Sequence, residues 1–308
     1  MTRKARAIFS TAVIVTMVGI AFAAENGKTF EAPGATIYYE VMGTGKGMPL
    51  IVVNGGPGFD HTYLHASDAW ESIARTRPVV FYDQRGTGRS VGEHPKQTFR
   101  LKDQIDDLDA LRARLGYEQI DLIGHSWGGF LVMAYAAMHS DHVSHLTIMD
   151  SMAPGGFKDT IFLFKDVFPE GTDRQAAEAF SIGMGDKKAV AADLHEYLSM
   201  LFYSPEKRDA FLARFSASAY NREVNRAVGA ELDGFDLNPE IKKFKFPVLV
   251  VTGRYDMNVA PLVAYKIHSA IPNSQFVVFE RSGHLPFYEE PEAFVETMEN
   301  FLVGERQQ

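Results

Sequence analysis

The sequence predicts an α/β protein, a mostly parallel, doubly wound sheet interrupted by one inserted helical cap. Three observations carry that class. Continuous apolar runs at 49–53, 78–82 and 246–251 read as strands buried on both faces, because a half-exposed strand alternates apolar with polar residues; a short apolar run at 120–123 and the segment 143–149 read as further strands. Helical periodicity returns between the runs, and strand–helix alternation implies parallel pairing with helices on both faces. From 154 to 245 the buried runs vanish and helical patterns rich in Phe, Tyr and Met replace them.

The elements follow in order. Arg3, Lys4 and Arg6 precede an apolar stretch at 8–22 and a small-x-small site at Ala21-Phe22-Ala23, the pattern of a secretory signal cleaved near Ala23 or Ala24. Residues 1–24 are therefore set apart as a signal peptide, export to the periplasm or medium is expected, and no membrane association is expected after cleavage. Residues 25–153 form the first part of the core, 154–245 the cap, and 246–308 the second part of the core. Residues 36–41 read as an early strand. The run 100–115 places Leu101, Ile105, Leu108, Leu111 and Leu115 on one helical face and stops at Gly116, a glycine suited to a left-handed helix end. Within the cap, helices are expected at 172–182, 188–202 and 205–220. A helix at about 261–270, a strand at 274–279 and a helix at about 291–302 close the chain.

The strand at 120–123 runs into Gly124-His125-Ser126-Trp127-Gly128, followed by an apolar, small-residue helix. Strand, sharp turn and helix around Gly-x-Ser-x-Gly make a nucleophile elbow, whose neighbours must be small. A serine hydroxyl needs a base, and the base needs a carboxylate to fix its tautomer. Asp256 and His284 each follow a predicted strand, and the order Ser126, Asp256, His284 is that of α/β-hydrolases. Asp150, also after a strand, is the rival acid. The developing oxyanion needs fixed donors. The amide of Trp127 is one, and Gly56 is the expected second, from the Asn54-Gly55-Gly56-Pro57-Gly58 loop in which Pro57 cannot donate.

These residues resemble a known family. Asn54-Gly55-Gly56-Pro57-Gly58, Asp83-Gln84-Arg85-Gly86-x-Gly88-x-Ser90, Gly124-His125-Ser126-Trp127-Gly128-Gly129, Gly253-x-x-Asp256 and Ser282-Gly283-His284 are similar to the motifs of the proline iminopeptidases, serine aminopeptidases of the α/β-hydrolase fold. The likeness runs in register over both core segments and is weaker across the cap. It implies release of an N-terminal proline or another small residue from peptides or amides. The family usually carries His before Gly-Gly-Pro-Gly, and here Asn54 stands there. The resemblance also implies cap glutamates that hold the substrate's ammonium. Glu231, in Gly229-Ala230-Glu231-Leu232, is the first candidate and Glu196 the second, although the segment is one residue shorter than the family's.

Composition removes other classes. The 308-residue chain has a net charge of −8 and no basic stripe, so no nucleic-acid partner is expected; the expected partner is a small-molecule or short-peptide substrate. With no cysteine there is no disulfide, thiolate catalysis or cysteine metal site. No cofactor is expected, because the glycine-rich loops lack dinucleotide and P-loop patterns. No metal is expected either: His139, His142 and His145 straddle a helix end and a strand with no carboxylate placed to complete a set. Arg85 and Arg89 are expected to brace their turn. An exported esterase, lactonase or amidase with the same triad and no ammonium site is the alternative to an aminopeptidase. A binding protein without turnover is the third reading, and its mark would be failure to react with a fluorophosphonate.

Overall fold

The structure, a computed structural model, describes residues 27–90, 98–215, 220–232 and 234–303, so the expected signal segment lies outside the described residues. Its strands are β1 (Lys28–Ala32), β2 (Ala35–Met42), β3 (Leu50–Val53), β4 (Val79–Tyr82), β5 (Ile120–His125), β6 (Val143–Met149), β7 (Val248–Gly253) and β8 (Gln275–Phe279). They form one sheet in the order β1-β2-β4-β3-β5-β6-β7-β8. The hairpin β1–β2 is antiparallel and β2 pairs antiparallel with β4; every pairing from β4 through β3 to β8 is parallel. β1 was not foreseen, because its sequence Lys-Thr-Phe-Glu-Ala has too few apolar residues to stand out and it lies mostly exposed on the edge.

Chain order reverses beside β3, whose sequence successor β4 lies on one side and β5 on the other. In open parallel sheets the crevice beyond such a reversal, at the carboxyl ends of the strands, collects ligands. Here it is bounded by the glycine loop after β3 and by Ser126 after β5.

Each central strand feeds two cores by alternation. Ile51, Val53, Val80, Tyr82, Val248 and Val250 join a cluster with Leu101, Leu108, Phe130 and Val263. Their alternates Leu50, Val52, Val79, Phe81, Leu249 and Val251 join the other, with Trp70, Phe287, Phe294 and Met298. The period of two explains why the strands read as unbroken apolar runs. The covering helices are α1 (Ala69–Ile73), α2 (Leu101–Leu115) and α3 (Trp127–Met138), with α4 to α9 between β6 and β7, then α10 (Pro261–Ala270), α11 (Pro286–Glu289) and α12 (Pro291–Val303). α2 ends as expected at Gly116, φ 82°.

The segment expected to be a cap carries α4 (Phe164–Val167), α5 (Pro169–Gly183), α6 (Lys187–Ser199), α7 (Pro205–Leu212), α8 (Arg222–Leu232) and α9 (Asn238–Ile241). The helix expected over 205–220 stops at Leu212, and Tyr220 bridges in extended form to Phe59. α8 and α9 were not foreseen. The inserted helices are tied to the loops of the crevice. The Asn221 amide donates to Gly58 O (2.7 Å), its side chain donates to Gly86 O (2.7 Å), and Asn225 Nδ2 donates to Pro57 O (2.9 Å).

Candidate active site

Ser126 sits between β5 and α3 at φ 58°, ψ −119°, a conformation that side chains rarely adopt. The two flanking glycines are a spatial requirement. A Cβ on Gly124 would stand 2.2 Å from Gly128 O, and one on Gly128 would stand 2.2 Å from Val53 O. The turn is fixed by the Ser126 amide donating to Met149 O (2.9 Å) and by Gly129 N–H donating to Ser126 O (3.0 Å). Trp127 opens α3, so its amide has no acceptor within the helix.

Asp256 and His284 follow β7 and β8 and meet in a buried pair, His284 Nδ1 to Asp256 Oδ2 at 2.7 Å. Asp256 Oδ1 accepts from the amides of Asn258 and Val259 (2.9 Å each). The two loops touch at backbone level: a Cβ on Gly253 would lie 1.9 Å from Gly283 O. With Nδ1–H committed to the carboxylate, Nε2 is the basic nitrogen, and it accepts from Asn258 Nδ2 at 3.1 Å. Burial raises the Asp256 carboxyl and depresses the His284 imidazole, holding the ring neutral. Ser126 and His284 line one cavity, while Ser126 Oγ makes no hydrogen bond among the described residues. A neutral histidine lining the same cavity as a serine on a strained turn can take the hydroxyl proton once a substrate displaces the Asn258 amide.

The loop after β3 is pegged from below. Gly55 N–H donates to Tyr63 Oη (2.7 Å), and Tyr63 Oη lies 2.6 Å from His125 Nδ1. His125 Nε2 lies 2.7 Å from His284 O, an acceptor only, so Nε2 carries the proton and Tyr63 donates to Nδ1. Burial keeps His125 neutral, as this chain requires. The Gly55 amide is thus occupied, and the Gly56 amide has no intramolecular acceptor among the described residues. Gly56 holds φ 134°, with space for no side chain beside Gly58 N. Asn54, where the resembling family has His, closes the same loop: Nδ2 donates to Gly55 O (3.1 Å) and Phe59 O (2.7 Å). Gln84 links it to the elbow, donating to Asn54 O (2.8 Å) and accepting from Trp127 Nε1 (2.9 Å).

A narrow cavity opens beside Ser126, walled by Phe59, Tyr63, Tyr197, Leu198, Leu201, Phe211, Phe215 and Leu285. Among the described residues no carboxylate lines it. Glu231 and Glu196, expected to hold an ammonium, are engaged elsewhere. Glu231 Oε2 accepts from Leu101 N–H (2.9 Å) and so caps α2, and Glu196 forms a two-point pair with Arg174 (2.7 and 3.0 Å) on the exposed side of α6.

The polar residues around the core are closed by ion pairs. Arg85 forms a buried two-point bridge to Asp107 (2.6 Å on both arms) and Arg89 bonds Tyr38 Oη. The expectation that no carboxylate stands near His139 and His142 is corrected: Asp109 of α2 reaches both. Its Oδ1 accepts from Arg112 Nε (2.8 Å), Tyr135 Oη (2.9 Å) and His142 Nδ1 (2.9 Å), so a cation there would have to displace a guanidinium. His145 pairs instead with Asp121 (2.9 Å). His61 lies between Asp83 (2.6 Å) and Glu40 (3.4 Å), whose hydrogen bonds overcome its burial and raise it to about 9.

Residues 48–291 match the alpha/beta hydrolase fold family. A proline iminopeptidase of Clostridium botulinum is 29% identical over 289 residues, covering 86% of this chain and 94% of that one. Another, of Saccharolobus solfataricus, is 28% identical over 305 residues, covering 94% and 95%. Among solved structures, an esterase from a Rhodococcus species superposes with a TM-score of 0.72 at 22% identity, over 89% of this chain and 97% of that one. An enol-lactonase from Burkholderia xenovorans does so with a TM-score of 0.69 at 22% identity, over 90% and 100%.

Proposed function

This chain belongs to the alpha/beta hydrolase fold family, and from that premise we propose that it is a serine hydrolase cleaving esters of small, uncharged acyl groups through an acyl-enzyme on Ser126. The observation that carries the acyl preference is the wall of the cavity beside Ser126, aromatic and aliphatic, with no carboxylate among the described residues to neutralise a substrate ammonium. An ammonium desolvated there without a partner would cost several kcal/mol, which an exopeptidase must instead recover by pairing.

The reaction proceeds in two halves. Ser126 Oγ attacks the carbonyl carbon while His284 Nε2 takes its proton, and Asp256 stabilises the imidazolium through Nδ1–H. Negative charge gathers on the carbonyl oxygen, where the amides of Gly56 and Trp127 donate. The tetrahedral adduct collapses, the C–O bond to the alcohol breaks, and His284 returns the proton to the departing oxygen. Water then repeats the sequence on the acyl-enzyme and releases the acid.

Aminopeptidase action is the second reading, favoured by proline iminopeptidases at 25–29% identity along most of the chain. One comparison separates the two: p-nitrophenyl butyrate against proline and alanine p-nitroanilides, with wild type and Ser126→Ala. Ester turnover lost in Ser126→Ala, with little anilide cleavage, is expected. Fast anilide cleavage that requires the free amine would replace the ester reading with the peptidase one. The basic and then apolar residues 3–22 support export, tested by a mature N-terminus near Glu25 in the exported protein.

A further inference from the structure

Asp150 directly follows β6 beside the triad's acid and has no part in the reaction proposed above. Its backbone stands at φ 46°, and both it and Asp256 are sealed from solvent, at 1% and 0% exposure. Oδ1 accepts from Gly253 N–H at 2.9 Å. Oδ2 is buried with no hydrogen-bond partner among the described residues. Carboxyl oxygens of Asp150 and Asp256 and a ring nitrogen of His284 lie within 4.8 Å of one another.

Two ionised carboxylates cannot share a dry site at that separation, so the pair keeps a proton. The surrounding bonds say which member holds it. Asp256 accepts at both oxygens, from two backbone amides and from His284 Nδ1–H, as an ionised carboxylate does. Asp150 has one satisfied acceptor and one bare oxygen, which is what a protonated carboxyl looks like when its acceptor is another acid. We propose that Asp150 is a positioning residue: it stays protonated and donates from Oδ2 to Asp256, so that the pair carries one negative charge, aimed at His284. This rests on the triad acting as proposed above.

Burial raises Asp150 well above the usual carboxylate range, and the charge of Asp256 adds to it. Besides His284 and Asp150, Glu289 and Tyr197 act on Asp256, and neither is a cation.

Asp150→Asn is the deciding variant. Its amide keeps an acceptor for Gly253 N–H and puts an N–H where we assign the O–H. Asp150→Asn is expected to retain kcat/KM to within about tenfold, whereas Asp150→Ala loses about a hundredfold or more, the scale of an uncompensated buried charge. Stability reads the proton without activity. The folded wild type retains a proton that the unfolded chain gives up above its carboxylate range. That stabilisation is complete at acid pH and is lost as pH rises toward the folded pKa. Between pH 5 and 8 the wild-type folding equilibrium should weaken, relative to Asp150→Asn, by about tenfold per pH unit.

Parallel pH dependences of stability, or an Asn variant as impaired as Ala, would overturn the proposal. If Ala does not fold, the Asn variant and the stability comparison still decide. Failure of wild-type Ser126 to react with a fluorophosphonate would sink the hydrolase reading instead, and the proton would still be readable from unfolding.

Discussion

Tyr63→Phe tests the framework of the site with the removal of one oxygen. Tyr63 Oη is the middle of a chain that runs from Gly55 N–H to His125 Nδ1, and from His125 Nε2–H to His284 O. The substitution preserves the ring, which packs against Phe59 and Phe287. It leaves a buried N–H and a buried imidazole nitrogen without partners, at about 1–3 kcal/mol each. Partial relaxation brings the sum to about 2–3 kcal/mol, a loss of roughly 5–10 °C in Tm at about 2–4 °C per kcal/mol. In kinetics, the Gly56 amide sits one residue beyond the freed Gly55. A misplaced oxyanion donor should lower kcat more than it raises KM, by about tenfold, short of the 10²–10³ of a donor removed altogether. The assay is ester turnover with thermal unfolding on the same preparation. Unchanged kcat and Tm would refute the chain, and a rise in KM alone would reduce Tyr63 to a wall of the cavity.

Three further outcomes follow from the geometry. Glu231→Ala should cost about 1 kcal/mol by uncapping α2 and leave KM equal for free-amine and amine-free substrates; a rise confined to free-amine substrates would restore the ammonium role. Gly128→Ala forces a Cβ to 2.2 Å from Val53 O and 2.6 Å from Asn54 O, both backbone atoms, so the elbow must shift. A loss of about 3 kcal/mol is expected, with turnover lost in whatever folds, and a stable, active variant would refute that packing. Burial depresses His284, so the basic form persists into acid: kcat/KM for an ester should hold below pH 6.5, and a midpoint at or above 6.5 would contradict it.

What the sequence made legible was whatever depended on local pattern. Strands β3 to β7 stood out because both faces are buried, and the elbow because only glycine fits beside a serine at φ 58°. Ser126, Asp256 and His284 followed from their places after strands, and the structure puts them at one end of the sheet. The rest depended on which side chains meet across the fold. Glu231 reads as an ammonium ligand from its motif, and only the fold reveals that its carboxylate accepts from the N-terminus of α2. His125 is the variable residue before Ser126 and Tyr63 lies in no motif, and only tertiary contact joins them. Asn258, two residues after the acid, reads as an ordinary loop residue, yet its side chain reaches the basic nitrogen of His284. Asp109 and the pair His139 and His142 come from different elements, and no spacing reveals that they converge.

The inserted helices are fastened at both rims of the crevice. On one rim Asn221 and Asn225 hold Gly58, Gly86 and Pro57. On the other, Leu201 O accepts from His284 N–H (2.7 Å). There the single carboxylate of Glu289 accepts from Tyr203 N (3.0 Å), Ser204 N (2.8 Å) and Gly283 N (2.6 Å). A roof pinned to both walls cannot swing clear without unseating the glycine loop after β3 and the His284 loop together. On the reaction proposed above, selectivity then follows from the size of a standing room and not from a door that closes on the guest. Enlarging the room through Phe211 or Phe215 should widen the range of acyl chains accepted, whereas loosening either rim should cost turnover on every substrate alike.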